Sequence, residues 1–202
     1  PRKCLRPPEF CHRHAKSRPA THHIGARGCA GKWRAALAFV RAMFQLAPMT
    51  VLDPHAASLA PGQLLARGVC RHLRGHDFVT LAEFTPERGK RLDVMALGPK
   101  GELWVIECKS SRADFTSDGK WGGYLEWGDR YFWAVDADFP TDLLPEGAGL
   151  IIADAYDAAI IRMGPEMKLA PARRRAVTQR FARHAALRLQ GLRDPGAGFD
   201  AF

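Results

Sequence analysis

Two carboxylates and a lysine on consecutive predicted strands give this chain its clearest chemical signal. Asp93 lies in the segment 91–97, and Glu107 and Lys109 lie near the end of the segment 102–109. Because side chains alternate along a strand, Glu107 and Lys109 project from one face, and a neighbouring strand can bring Asp93 beside them. Two carboxylates and an ammonium group that meet at strand ends can hold a divalent metal ion next to a phosphate, as in a nuclease.

The chemistry expected of such a site is phosphodiester hydrolysis, which needs an activated water and positive charge beside the phosphate. Mg²⁺ or Mn²⁺ supplies both when carboxylates fix it at the substrate. Asp93 and Glu107 are the predicted metal ligands, and the backbone carbonyl of Cys108 offers a third oxygen. Lys109 is expected to orient or help deprotonate the attacking water and to stabilise developing negative charge. Asp93, Glu107 and Lys109 are therefore the predicted catalytic residues.

The same three residues could instead form a salt bridge at the sheet surface. The strand 103–106 is apolar on both faces, as in a central buried strand, so charges at its end are costly unless they have a function. Two acids that face one lysine also leave excess negative charge, which a cation would relieve. The spacing alone, with thirteen residues between Asp93 and Glu107, does not decide between the two interpretations.

The surrounding pattern predicts a mixed α/β domain in the order α-β-β-β-α-β-β-β-α, with a central sheet flanked by helices. A helix is expected over Pro61–Leu73, since Pro begins it and Gly75 follows it. The turn 98–101 (Gly-Pro-Lys-Gly) predicts a hairpin. The remaining predicted elements are strands at 77–85, 91–97, 102–109, 130–135, 149–154 and 158–163, and helices at 118–128 and 172–192.

The positive charge of the chain is concentrated in its N-terminal segment. Of the 30 Lys and Arg and 21 Asp and Glu in the 202 residues, residues 1–48 hold ten basic residues and one acid, so the rest has no net charge. The overall charge of +9 therefore does not by itself predict nucleic-acid binding. The segment is rich in Pro, Gly, Arg and His, which predicts disorder, with a short amphipathic helix possible over 32–47. It is either upstream sequence included by a start-site choice or an Arg-rich targeting segment.

The expected organisation is a basic segment at 1–48, a linker at 49–60, the domain at 61–193 and a tail at 194–202. The Cys and His residues of the first segment show no metal-ligand spacing, which argues against zinc. Five cysteines at irregular spacing favour a reducing interior, and no run is long enough to span a bilayer, so a cytoplasmic protein is predicted.

The motif Arg91-Leu92-Asp93 followed by Glu107-Cys108-Lys109, between predicted helices, resembles the PD-(D/E)XK nuclease superfamily. That superfamily has a core of a helix, three antiparallel strands, a helix and a further strand. The run from Glu102 to Val135 is similar, more narrowly, to the bacterial MmcB-like DNA repair family, and the resemblance extends over roughly residues 61–190. The positions that carry it are 102–111, Asp114-Phe115, Asp118, Lys120-Trp121, Tyr124, Asp129-Arg130 and 132–135.

This resemblance implies a restriction-endonuclease-like fold, a role in DNA repair, Mg²⁺ or Mn²⁺ as cofactor, and DNA and other repair proteins as partners. It does not by itself imply cleavage, because the superfamily also contains inactive members that bind DNA. The alternative function is therefore a catalytically silent module that binds DNA or a repair partner.

One departure from the superfamily is that the first core helix carries no acid. Glu83, on the first predicted strand, is the nearest substitute as a metal ligand, although it could equally be a solvated strand residue.

Four basic or aromatic residues are predicted DNA contacts. Lys120 and Tyr124 follow the Glu-x-Lys strand by about one helical turn and are expected to line a DNA groove. Arg173 and Arg174 open a basic stretch of the last helix, which is either a phosphate-binding face or a solvated helix surface.

Overall fold

The computed structural model describes residues 53–117 and 121–197. The predictions made for residues 1–48, including the helix over 32–47, and for Lys120 and Asp118 lie outside the described residues. No helix within the two described ranges is long and apolar enough to cross a bilayer.

The described residues form four α-helices and six β-strands. The helices are α1 (Pro54–Ala57), α2 (Pro61–Arg74), α3 (Arg112–Ser117) and α4 (Pro171–Arg193). The strands are β1 (Val79–Glu87), β2 (Lys90–Leu97), β3 (Leu103–Lys109), β4 (Arg130–Val135), β5 (Gly149–Ala153) and β6 (Ala158–Arg162). Short 3₁₀ helices cover Trp121–Trp127, Thr141–Leu143 and Pro195–Ala197.

The six strands form one mixed sheet in the order β1-β2-β3-β4-β5-β6. The first three strands form an antiparallel meander, β4 and β5 continue it in parallel, and β6 closes it antiparallel to β5. The hairpin predicted at 98–101 is confirmed, since the Gly98 amide donates to the Glu102 carbonyl at 2.9 Å and Gly101 has a φ of 79°. The prediction of an α/β domain with a central sheet flanked by helices is confirmed.

Helices cover both faces of the sheet. On one face α2 buries Leu65, Val69 and Leu73 against the strands. On the other face α4 contributes Val177 and Phe181 to a cluster that contains Trp133. All seven residues of β3 are buried, as expected of a strand covered on both sides, so the charged residues at its end lie at the limit of the core.

Helix α4 also runs along the edge strand β1. Its contacts with β1 recur every four helix residues. Four helix residues rise by about 6 Å, which is close to the length of two strand residues. The contacts are Arg180 with the Pro86 carbonyl, the His184 ring with the Phe84 ring at 5.1 Å, and Arg188 with the carbonyls of Ala82 (2.6 Å) and Glu83 (3.0 Å).

The prediction of an α-helix at 118–128 is wrong. Helix α3 lies earlier in the chain, and Trp121–Trp127 forms a 3₁₀ helix. Consecutive glycines at 122 and 123 disfavour an α-helix there. Ser111 Oγ instead accepts the N–H of Asp114 at 3.1 Å and caps the start of α3.

Candidate active site

The sheet opens where Asp93 and Glu107 lie. The antiparallel ladder between β2 and β3 ends at the pair Val94–Ile106. Beyond that pair β2 remains bonded to β1 and β3 remains bonded to β4, so the two strands form a fork. The side chains of Asp93 and Glu107 occupy the base of this fork.

At the fork, the side-chain carboxylates of Asp93 and Glu107 accept hydrogen bonds from backbone amides, as main-chain carbonyls do along the rest of the β2–β3 pairing. The Cys108 amide donates to Asp93 Oδ2 at 2.8 Å, and the Asp93 amide donates to Glu107 Oε1 at 3.3 Å. Since the N–H and C=O of one strand residue point to the same side, the Cys108 carbonyl is expected to face the fork as well. The structure thus brings the two predicted carboxylate ligands together, and the Cys108 carbonyl as a third ligand stays a prediction.

Burial dominates the electrostatics of the site. Glu107 and Lys109 are only 3% and 5% exposed, and Lys109 Nζ lies 5.9 Å from the centre of the Trp133 ring. Burial raises the pKa of Asp93, and the hydrogen bond from Cys108 and the charge of Lys109 offset this only in part. A carboxylate held this way is stabilised by a further cation beside it.

A cleft of about 1000 Å³ gives solvent access to the fork. Asp93, Glu107 and Lys109 all line it, together with Gln63 of α2 and Tyr124 of the 3₁₀ helix. Buried charges that line a cleft of this size argue against a simple surface salt bridge.

Glu83 lies on the wall of the same cleft. The pairs Ala82–Val94 and Phe84–Leu92 flank it, which places it across from Asp93 in the β1–β2 register. Its φ of 51° is in the left-handed region, and its Oε1 accepts a hydrogen bond from Gln63 Nε2 at 3.2 Å. Within the described ranges no group of three or more His, Cys, Asp or Glu side chains is arranged to hold a metal ion, so Glu83 as a ligand stays a prediction.

Of the predicted DNA contacts, Tyr124 lines the cleft, whereas Arg173 and Arg174 do not. Arg173 donates to Glu126 Oε2 at 2.6 Å and lies 4.9 Å from the centre of the Trp127 ring. Its role in DNA binding stays a prediction.

Arg174 is bound to a buried carboxylate. It donates to Asp129 Oδ2 at 2.7 Å and Oδ1 at 2.5 Å, and Asp129 is 5% exposed. The amides of Leu103 (2.8 Å) and Leu169 (3.1 Å) donate to the same carboxylate. Burial by itself would raise the pKa of Asp129, but these hydrogen bonds, chiefly that from Arg174, hold it below its ordinary value. Asp129 therefore ties α4 to the start of β3 through Arg174, and the role of Arg174 in DNA binding stays a prediction.

Comparison with known proteins identifies the family. A family model described as DNA repair protein MmcB-like matches residues 56–196. The chain belongs to the MmcB-like family. This membership supports a role in DNA repair and confirms the narrower resemblance drawn from the sequence.

A solved structure of a protein of unknown function from Silicibacter pomeroyi resembles this MmcB-like chain. The two are 70% identical, the match covers 69% of this chain and 96% of that one, and the TM-score is 0.68. It supports the fold and assigns no activity. The comparison with curated proteins gave no match.

Three arginines of the MmcB-like cleft were not predicted as site residues. Arg67, Arg91 and Arg188 line it, from α2, β2 and α4 respectively. Arg67 pairs with Asp53, whereas Arg91 is exposed and its charge acts on Asp93. Arg91 lies two residues before Asp93, so its place in the cleft could have been predicted from the sequence. Arg67 and Arg188 are distant in sequence and reach the cleft only through the fold.

Proposed function

We propose that this MmcB-like domain is a divalent-metal-dependent deoxyribonuclease of the PD-(D/E)XK type that hydrolyses phosphodiester bonds of DNA in a repair pathway. The observation that carries the proposal is the reciprocal hydrogen bonding of Asp93 and Glu107 at the fork. That arrangement fixes two acidic side chains that line the same cleft.

The donor set fits Mg²⁺ or Mn²⁺. Carboxylate and carbonyl oxygens are the ligands that these hard cations prefer, and Mg²⁺ is usually held by one or two carboxylates while keeping several waters. Asp93, Glu107 and the Cys108 carbonyl would hold the ion, with Glu83 within the same cleft. When bound, the ion would lower the pKa of a coordinated water and neutralise charge on the phosphate.

The other residues of the site act on water and phosphate. Lys109, buried beside the two carboxylates, positions the attacking water or accepts its proton and stabilises the charge that develops on the phosphate. Arg91 and Arg188 at the rim attract the DNA backbone. Tyr124, which lines the cleft, contacts the bound DNA.

A second candidate function is a catalytically silent module that binds DNA. It is favoured by the hydrogen bonds of Asp93 and Glu107, since each carboxylate already accepts a backbone N–H of the neighbouring strand. In that case the cleft recognises the DNA backbone through its arginines, and the fork hydrogen bonds serve only to join β2 and β3.

The test is cleavage of a DNA panel (single-stranded, duplex, flap and nicked) by the full chain with Mg²⁺ or Mn²⁺, beside Asp93→Asn and Lys109→Gln. Asparagine keeps an acceptor for the Cys108 amide but lacks the charge, so Asp93→Asn should abolish cleavage. Lys109→Gln should slow it by about a hundredfold or more. Asp142→Asn, an exposed Asp outside the cleft, is the matched control and should cleave like the unsubstituted chain.

Binding of Mn²⁺ is measured separately, from the rise in melting temperature on titration. A folded chain that binds DNA but neither binds Mn²⁺ nor cleaves any substrate would support the silent module instead.

A further inference from the structure

A second groove lies between the β1–β2 turn and helix α4. Its volume is about 750 Å³. Its ionisable lining residues are Arg88 of the turn and Arg180, Arg183 and His184 of α4. None of its lining residues is acidic.

The positive charge of this groove is not neutralised by ion pairs in the described residues. Arg180 donates to the Pro86 carbonyl, a neutral group that leaves the guanidinium charge intact. Arg88 and Arg183 are exposed and form no ion pair with a carboxylate of residues 53–117 or 121–197. The acid next to Arg88, Glu87, is paired with Lys90 at 2.9 Å.

Arg173 and Arg174 provide the contrast within the same helix. Both are paired with carboxylates, those of Glu126 and Asp129. The charges of Arg173 and Arg174 in the first turn of α4 are therefore neutralised by carboxylates, whereas those of the groove arginines further along the helix are not.

The charges of these arginines act on His184. Its pKa is lowered by burial and by the charges of Arg188, Arg180 and Arg183, and Arg88 lines the groove opposite. Cations that crowd a neutral imidazole create a site that an anion stabilises.

We propose that this groove binds a phosphate of the DNA backbone, so that the DNA-contacting surface continues from the catalytic cleft across the β1–β2 turn. The inference rests on the proposed function for its ligand, DNA. Arg188, on the cleft rim, and Arg180, in the groove, are eight residues apart on α4, a separation of about 12 Å along the helix. That distance corresponds to roughly three or four nucleotides of one DNA strand.

The experiment measures the affinity of the full chain for a 20-nucleotide single strand and its duplex over a range of salt concentrations. A variant that binds one phosphate fewer should show a slope of log K against log salt that is smaller by about 0.9 for duplex DNA. Arg88→Gln and Arg183→Gln should each show this reduction. Arg193→Gln removes the same charge from the exposed last turn of α4, outside both cavities, and should leave the slope unchanged.

A second readout is the pKa of His184, followed by NMR. Bound DNA should raise it in the unsubstituted chain and raise it less in Arg183→Gln, because the phosphate stabilises the imidazolium.

The outcomes separate this inference from the proposed function. If DNA binds and both groove variants match Arg193→Gln, the groove proposal is overturned and the nuclease proposal is untouched. If no DNA is cleaved but the slope depends on Arg88 and Arg183, the groove proposal stands while the nuclease proposal falls. Absence of any DNA binding by the unsubstituted chain at low salt overturns both.

Discussion

Replacement of Arg174 by methionine should destabilise the domain strongly, whereas the same change at Arg173 should not. Methionine keeps an aliphatic stem but removes every donor. Arg174→Met leaves the carboxylate of Asp129, which is 5% exposed, without its charged partner. Arg173→Met breaks an exposed pair with Glu126, whose interaction water screens.

The magnitude follows from burial. Removal of one partner of a buried ion pair costs about 3–5 kcal/mol. The Arg174 side chain is 33% exposed, so water partly compensates and the lower end, about 3 kcal/mol, is expected. For a domain of this size that loss lowers the melting temperature by about 10 °C.

The assay is thermal unfolding of the full-length variants, followed by circular dichroism, with DNA affinity measured well below both transitions. Arg173→Met serves as the control for charge and for helix propensity. If Arg174→Met melts like Arg173→Met and instead loses DNA affinity, Arg174 is a DNA contact and its structural role is refuted.

Three further changes test other parts of the structure. Gly68→Ala should destabilise by about 1–3 kcal/mol, because a Cβ there would lie 2.1 Å from the Asp154 carbonyl oxygen; Gly191→Ala, in open space, should be neutral or slightly stabilising in urea unfolding. Glu83→Gly should leave the melting temperature unchanged or raised, because it relieves a left-handed φ, yet weaken Mn²⁺ binding if Glu83 is a ligand. Stability should fall in acid as Asp129 becomes protonated: its native pKa lies below its unfolded value, so its contribution is complete above about pH 4 and is lost below it, and Asp129→Asn should flatten this part of the stability–pH curve.

The local part of the site was predictable from sequence. Alternation along β3 places Glu107 and Lys109 on one face, and the turn 98–101 forces β2 back against β3, which brings Asp93 beside them. These relations involve neighbouring elements and short turns, so residue spacing was sufficient to predict them.

The fork and its arginines were not predictable in the same way. The β2–β3 pairing stops at Val94–Ile106, because beyond this pair the backbone amides donate to side-chain carboxylates instead of main-chain carbonyls. The alternation of residues along the strands does not predict this change. The pairing of Arg174 with Asp129 was likewise not predicted, since the two residues are 45 apart in sequence and meet only after α4 packs on the sheet. Helix α3 was missed because its six residues are too few for an apolar period to develop.

The contacts of α4 with β1 have a consequence for self-association. An edge strand normally offers N–H and C=O groups on which another chain can add a strand. In β1 the guanidinium groups of Arg180 and Arg188 occupy the carbonyls of Pro86, Ala82 and Glu83, and Pro86 has no N–H to offer. Arg180 and Arg188 therefore also hinder the addition of a further strand to β1. Without them, the free carbonyls of β1 could accept hydrogen bonds from a strand of a second molecule.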